Sequence, residues 1–287
     1  LTQTEPPALP GGARIAVVLQ IVFELWSDSR TDALGFVPKL PDATFQRGMP
    51  DLLNDSLQRY GAEAGMPRLT SMLDRLGLPA TGVMSGLAVE RYPRVVTDFA
   101  YGAVAREICA HSWTQDMRVC DQSRDELQQN VERCAKVIES TTGRRPVGWV
   151  SPAGLSNPDT PEVLVDAGFL YHGDWAHTDS YDVTSVANGR IVQMSVPWEV
   201  NDASQYARSY HPPSAYVELF KRSFDVLYRE GGGVLGAVAH AMIYGRPFGV
   251  SALEEVIEYA RGHEGVAFTT RAAIAEWALR RDGTGDR

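Results

Sequence analysis

Short apolar runs rich in β-branched residues alternate with amphipathic stretches along nearly the whole chain. Ile15 to Phe23 (IAVVLQIVF) is almost uninterruptedly apolar, the pattern of a strand covered on both faces. Arg68 to Leu76 predicts a helix, with Leu69, Met72, Leu73 and Leu76 on one side and Gly77 as its stop. A second strand is expected at Ala80 to Met84, a helix around Val89 to Ala100, and a third strand at Glu107 to Ala110. Ser123 and Glu126 have capping-box spacing, and Leu127, Val131, Cys134, Ala135 and Ile138 follow at helical spacing until Gly143. Val147 to Val150 predicts the next strand. Asn157-Pro158 opens a helix that Gly168 ends, and Phe169 to His172 and Ile191 to Val196 are expected to be extended. The remainder predicts a helix over Ser214 to Tyr228 before Gly231-Gly232-Gly233, then a strand over Val234 to Ala239. A helix over Ser251 to Ala260, a strand over Val266 to Thr269 and a closing helix over Arg271 to Leu279 complete it.

This alternation implies parallel strands joined by helical crossovers. Roughly seven β-α units in 287 residues favour an α/β barrel, a distorted (β/α)7-type, over an open sheet, and a single domain over residues 1–287. No Gly-rich dinucleotide fingerprint follows the first strand, and no P-loop occurs. Residues 1–12 read as an extended, proline-rich segment. Ser27 to Tyr60 lacks clear periodicity and is too long for an ordinary connection, so a lid or an oligomer contact is expected there.

Composition narrows the partners. A net charge of −9 without any Lys/Arg run argues against nucleic acid. No apolar run approaches the ~20 residues of a membrane span. Cys109, Cys120 and Cys134 match no zinc or thioredoxin spacing and are expected as free thiols in a reducing compartment. The first residues have neither a basic nor an apolar leader region, so a cytoplasmic protein is expected, although Leu1 leaves open a trimmed start.

Parallel α/β folds carry their sites at the C-terminal ends of their strands. Glu24 falls after strand one, His111 after strand three, Ser151 and Pro152 after strand four, Asp174 and Trp175 after strand five, and His240 after strand six. The alternative for Glu24 is a rim carboxylate paired with an arginine such as Arg68; for His111, a hydrogen-bonded structural histidine. His240 closes an apolar run, where a polar ring needs a reason to be present. His172 and His177 read as surface or supporting groups. Trp26, Trp113, Trp149 and Trp198 read as core or pocket wall, and Trp175 as the best substrate platform. A carboxylate beside imidazoles suits water activation followed by protonation of a leaving amine. A serine relay would want a G-x-S-x-G elbow, which is lacking, and Cys109 lies inside a strand.

From Arg14 to Trp277 the chain resembles the NodB-homology polysaccharide deacetylases, in the branch of cofactor-independent allantoinases and cyclic-imide hydrolases. The resemblance rests on Tyr60-Gly61 with Gly65 to Arg68, on Leu73 to Thr81, and on Gly148-Trp149-Val150-Ser151-Pro152. Asp174-Trp175, and His240 with Gly245-Arg246-Pro247 and Ala252-Leu253-Glu254-Glu255, complete it. It implies a distorted barrel and a homo-oligomer. Where the metal-dependent members carry Phe-Asp-Asp, this chain reads Phe23-Glu24-Leu25, keeping the base and losing a ligand. The His-x-x-x-His pair becomes His111 to Gln115, the motif-three arginine falls at Val150, and the general-acid histidine remains as His240. A single imidazole cannot hold a catalytic zinc, which takes three protein ligands. A divalent ion such as zinc near His111 would need Asp116, His172 or Asp174.

The leading expectation is metal-independent, cofactor-free ring opening of a small cyclic amide, ureide or imide at a non-peptide C–N bond. Glu24, His111 and His240 would be catalytic, with Arg68, Trp149, Ser151, Asp174, Trp175 and Arg246 binding the substrate. A metal-dependent N-deacetylase on an amino sugar or small acetamide is the second expectation. A non-catalytic barrel binding a sugar or metabolite is the third.

Overall fold

The computed structural model describes residues 8–27 and 49–283. The strands are β1 Ile15–Phe23, β2 Thr81–Met84, β3 Glu107–Ala110, β4 Gly148–Trp149, β5 Tyr171–Trp175, β6 Tyr181–Val186, β7 Gly189–Ser195, β8 Val234–His240 and β9 Val266–Thr269. The helices are α1 Leu52–Tyr60, α2 Met66–Leu76, α3 Gly86–Arg91, α4 Pro93–Ala100, α5 Arg124–Thr142, α6 Thr160–Asp166, α7 Pro213–Glu230, α8 Pro247–Arg261 and α9 Arg271–Gly283.

The described strands form one sheet in the order β6-β7-β5-β4-β3-β2-β1-β8, with β9 against β1. Every pairing is parallel except β6 with β7. β1 is the hub: β8 runs along Ala16 to Val22, while β9 takes Ile15 to Val18 and β2 takes Gln20 to Phe23. The sheet curls into an α/β half-barrel with helices outside, the distorted (β/α) barrel that the alternation predicts. Backbone bonds from Val234 to the Asp179 carbonyl (2.9 Å) and from Val238 to Val200 (2.9 Å) link β8 to the far side.

The continuous apolar run of β1 serves two cores. Ile15, Val17, Leu19, Ile21 and Phe23 join the large cluster with the helices. Ala16, Val18 and Val22 face inward with Val83, Cys109, Tyr171, Val192 and Val238, and Ile274, Ala275 and Ala278 of α9 join that inner cluster. Period-2 side-chain alternation makes both clusters from one strand. Gln20, on the inward side, is polar and buried.

Several expectations need correction. The single helix over Val89 to Ala100 is two, α3 and α4, because Pro93 has no N–H to continue the first and Tyr92 before it leaves the helical region. The helix at Asn157-Pro158 begins at Thr160; the Asn157 side chain instead accepts from the Asp159 N–H, forming the turn before it. Strand β6 lies outside the predicted elements, since Tyr181 to Val186 is only half-buried and its partner is the adjacent β7. The last nine residues of the supposed loop from Ser27 to Tyr60 are helix α1. α1 hid because Leu52 and Leu53 stay exposed while the polar Asn54 and Gln58 are buried, inverting the usual pattern. The rest of that segment, residues 28–48, lies outside the described residues. Among the described residues, no helix is long and apolar enough to cross a membrane.

Candidate active site

Glu24, His111 and His240 meet at the C-terminal mouth of the barrel. Glu24 is the first residue beyond β1 and is buried, as are Leu25 and Trp26 after it. That exit is fixed by backbone bonds: Leu25 N–H donates to Ser85 Oγ (3.1 Å) and Trp26 N–H to Gln58 Oε1 (2.9 Å). Glu24 Oε2 lies 3.2 Å from His111 Nε2, and Oε1 lies 3.7 Å from His240 Nε2. One carboxylate therefore stands between two imidazoles.

Each ring is anchored through its other nitrogen. His111 Nδ1 donates to the Val150 carbonyl at 2.6 Å. His111 sits at the end of β3 on a bond from its own N–H to the Met84 carbonyl (3.0 Å). The next residue, Ser112, has φ of 56°, a left-handed conformation unusual for a non-glycine. Buried Asn130 on α5 holds that turn, donating to Ser112 Oγ (2.9 Å) and accepting from the Trp113 N–H (3.0 Å). Strain of this kind is stored where the surroundings over-determine a functional geometry.

His240 Nδ1 bonds Asp202 Oδ1 at 2.6 Å, and Asp202 Oδ2 accepts from the backbone N–H groups of His240 (2.8 Å) and Tyr244 (3.2 Å). Burial alone would lower the His240 pKa. The charge and hydrogen bond of Asp202, with Glu24 adding to them, outweigh it and raise the pKa above its ordinary 6.5.

Not every expected binder joins them. Ser151 lines the cavity in front of Glu24. Trp149 is buried behind it, donating to Ser151 Oγ (2.9 Å), and Asp174 is a buried brace that accepts from Ser151 N–H (2.7 Å) and bonds His172 Nε2 (2.7 Å). Trp175 is half-exposed and turned back on His172, away from the cavity lining. Arg68 and Arg246 are corrections. Arg68 donates to Tyr60 Oη (2.7 Å) and to the Gly245 carbonyl, and Arg246 stacks over the Tyr60 ring (4.1 Å to its centroid) and opens α8. Neither lines the cavity with Glu24. Both clamp the loop after His240, where a Cβ on Gly65 would come within 2.0 Å of the Ala241 carbonyl oxygen. The Gly-rich motifs thus meet to let two backbones touch. The Glu24–Arg68 pairing weighed as an alternative is not formed.

Sequence reading missed Asp202 as the partner of His240, and Asn130. It also missed Gln20 and Arg271, both buried and both lining the cavity with Glu24. Gln20 had a signal, being the one polar residue inside β1. Arg271 had one too, following closely on β9. Cys109 is buried inside the barrel, where burial pushes its thiol well above the usual range, and burial raises the Cys134 thiol to about 12. Neither is poised as a nucleophile.

At the places where the resembled deacetylases hold their metal, the donors are few. Leu25 is a buried aliphatic packed into the helix-facing core, Gln115 offers an amide, and His111 alone offers an imidazole. Asp116 is engaged by the Ser27 backbone and hydroxyl, and His172 and Asp174 bond one another. Among the described residues, no three His, Cys, Asp or Glu side chains come together as metal ligands. This donor set does not fit a catalytic zinc.

A carboxylate flanked by two anchored imidazoles in a barrel mouth is the equipment of a hydrolase. Comparison with known proteins agrees. Residues 45–172 match the polysaccharide deacetylase family. A peptidoglycan deacetylase of Helicobacter pylori is 24% identical over 272 residues, covering 81% of this chain and 89% of that protein. Among solved structures, a probable polysaccharide deacetylase of Pseudomonas aeruginosa PAO1 superposes with a TM-score of 0.84 at 27% identity, covering 96% of this chain and 95% of that one. PuuE allantoinase superposes with a TM-score of 0.83 at 26% identity, covering 94% and 93%. Residues 45–172 thus match a polysaccharide deacetylase domain of the NodB-homology kind, and these likenesses support an enzyme that hydrolyses C–N bonds.

Proposed function

We propose that this protein opens a small cyclic amide, ureide or imide without a metal, using Glu24 as base, His240 as acid and His111 as electrophile. The observation that carries the reading is the placement of Glu24 within 3.2 Å of His111 Nε2 and 3.7 Å of His240 Nε2, with both Nδ1 atoms committed elsewhere. Glu24 takes a proton from water, and the hydroxide adds to the ring carbonyl carbon. His111 donates toward the developing oxyanion. His240 gives its Nε2 proton to the ring nitrogen as the C–N bond breaks, and the proton held by Glu24 returns to His240 once the 3.7 Å between them closes to hydrogen-bond length.

Size supports a small substrate. The cavity before Glu24 measures ≈ 100 Å³, whereas one of about 150 Å³ accommodates benzene. Rings with electron-poor carbonyls need less Lewis-acid help than an acetamide does, and the likeness to an allantoinase points the same way. A homo-oligomer remains part of the proposal, supported by the exposed Leu52, Leu53 and Tyr210 side chains.

The likeness to a peptidoglycan deacetylase favours a second reading, deacetylation of an amino sugar or small acetamide, for which a metal is the expectation stated above. Elemental analysis of protein purified without chelator, followed by turnover assays on hydantoins, imides and ureides, decides between them. The ring-opening reading expects turnover that survives prolonged chelation. Near-stoichiometric zinc, with activity lost on chelation and restored by the ion, would overturn it. Tight ring binding without turnover would instead indicate a binding protein.

A further inference from the structure

Among the described residues, six buried side-chain atoms lack a hydrogen-bond partner, and three of them, Gln20 Nε2, Gln115 Oε1 and Arg271 Nη1, belong to residues lining the cavity with Glu24, His111 and His240. Buried polar groups are nearly always paired, and an orphaned guanidinium N–H is among the more costly exceptions. Clustering in one cavity calls for a common cause.

Arg271 opens α9 yet sends its side chain up into the barrel, where it is 3% exposed and Nη2 donates to the Ser195 carbonyl at 2.7 Å. Its course is prepared by the backbone. A Cβ on Gly173 would lie 2.1 Å from Arg271 Nη1, and a Cβ on Gly236 would lie 2.8 Å from Gln20 Nε2. Two strands thus carry glycine where these two donors need room. Gln20 and Arg271 also line a second cavity of ≈ 110 Å³ that shares Val196, Pro197 and Trp198 with the first. The pair marks the boundary between the two cavities.

We infer that Arg271 and Gln20 form a subsite for a second acyl oxygen of the substrate, remote from the bond that is cut. Two unsatisfied donors call for an oxygen acceptor, the ring carbonyl that is not attacked, which becomes the amide oxygen of the opened product. Gln115, in the same lining, offers an amide to a ring N–H. The substrate class is then a ring with two carbonyls, an imide or a cyclic ureide, rather than a lactam with one. This rests on the ring-opening reading, and its test separates the two.

The experiment has two arms. Steady-state kinetics compares succinimide or hydantoin, with two carbonyls, against 2-pyrrolidinone, with one, in the wild type and in Gln20→Leu and Arg271→Met. Calorimetry measures binding of succinamate, the opened product, which carries the second acyl oxygen as an amide and needs no turnover. Gln20→Leu removes an amide whose nitrogen has no partner, so its melting temperature should hold even if Arg271→Met, which also frees the Ser195 carbonyl, fails to fold. The expected result is a rise in KM for the two-carbonyl rings, and weaker succinamate binding, on the order of 10- to 100-fold for a lost bond to a buried charged group and less for Gln20. Succinamate binding that depends on these residues without ring turnover would keep the subsite and sink the hydrolase reading. Ring turnover with KM and succinamate affinity unchanged in folded variants would overturn the subsite, as would failure of the wild type to bind succinamate.

Discussion

Asp202 holds His240 from two sides at once, taking a bond from the ring Nδ1 at 2.6 Å and another from the backbone N–H at 2.8 Å. The carboxylate is fully buried, and the arrangement leaves Nε2 as the working end, facing Glu24. An Asp202→Asn variant keeps the shape but offers an amide where the imidazole needs an acceptor. The ring can then adopt the wrong tautomer, and kcat should fall by about 10²- to 10⁴-fold while the fold survives. A variant with near-normal kcat would remove His240 from the reaction.

The same pair sets a pH dependence. Burial acts to lower the His240 pKa, but Asp202 and Glu24 prevail and raise it above 6.5. For a base with a raised folded pKa, the stabilisation is fully present below about 6.5 and is lost as pH rises through the folded value. Denaturant unfolding should therefore show this contribution in full at about pH 6 and its progressive loss as pH rises above the ordinary 6.5 and through the raised folded value. Activity that needs protonated His240 should fall over the same alkaline range, and Asp202→Asn should move that limb to lower pH. An alkaline limb that ignores Asp202→Asn would assign it to another group.

The meeting of Glu24, His111 and His240 was legible because apolar runs end visibly in polar residues, so the three could be placed at strand ends without knowing how the strands pair. Asp202 could not. It stands 38 residues before His240, outside any periodic segment, and only closure of the barrel brings them together. Arg68 and Arg246 read as substrate cations for the converse reason. Their real partners are a carbonyl and an aromatic face, which leave no charge signature in a sequence. α1 was hidden by an inverted pattern, buried amides and exposed leucines, whose meaning depends on the chain packed against it.

The glycine contact behind His240 is the next test. Gly65 lies so close to the Ala241 carbonyl that a methyl group could fit only by moving the backbone. Gly65→Ala should cost about 1–3 kcal/mol in chemical unfolding, as overpacking does. Since Ala241 adjoins His240, kcat should drop further than the stability loss alone would cause. A stable, fully active Gly65→Ala protein would show that the loop yields without disturbing the imidazole.

His111 raises a question of proton count that Glu24→Gln can answer. The Val150 carbonyl can only accept, so His111 Nδ1 carries a proton, and a neutral ring would turn the Nε2 lone pair toward Glu24 Oε2 at 3.2 Å. Two acceptors facing each other at that distance repel, so one proton must lie between them for the contact to be a hydrogen bond. A glutamine in place of Glu24 supplies its own N–H to Nε2 and frees the ring of that requirement. Imidazole ¹⁵N spectra should then show Nε2 of His111 bearing a proton in the wild type and bare in Glu24→Gln. Turnover should fall by about 10²- to 10⁴-fold with the loss of the base, while the melting temperature holds. Full turnover in a folded Glu24→Gln protein would mean that another group activates the water. An unchanged His111 spectrum would mean that the shared proton belongs to the carboxyl, leaving His111 to receive rather than donate.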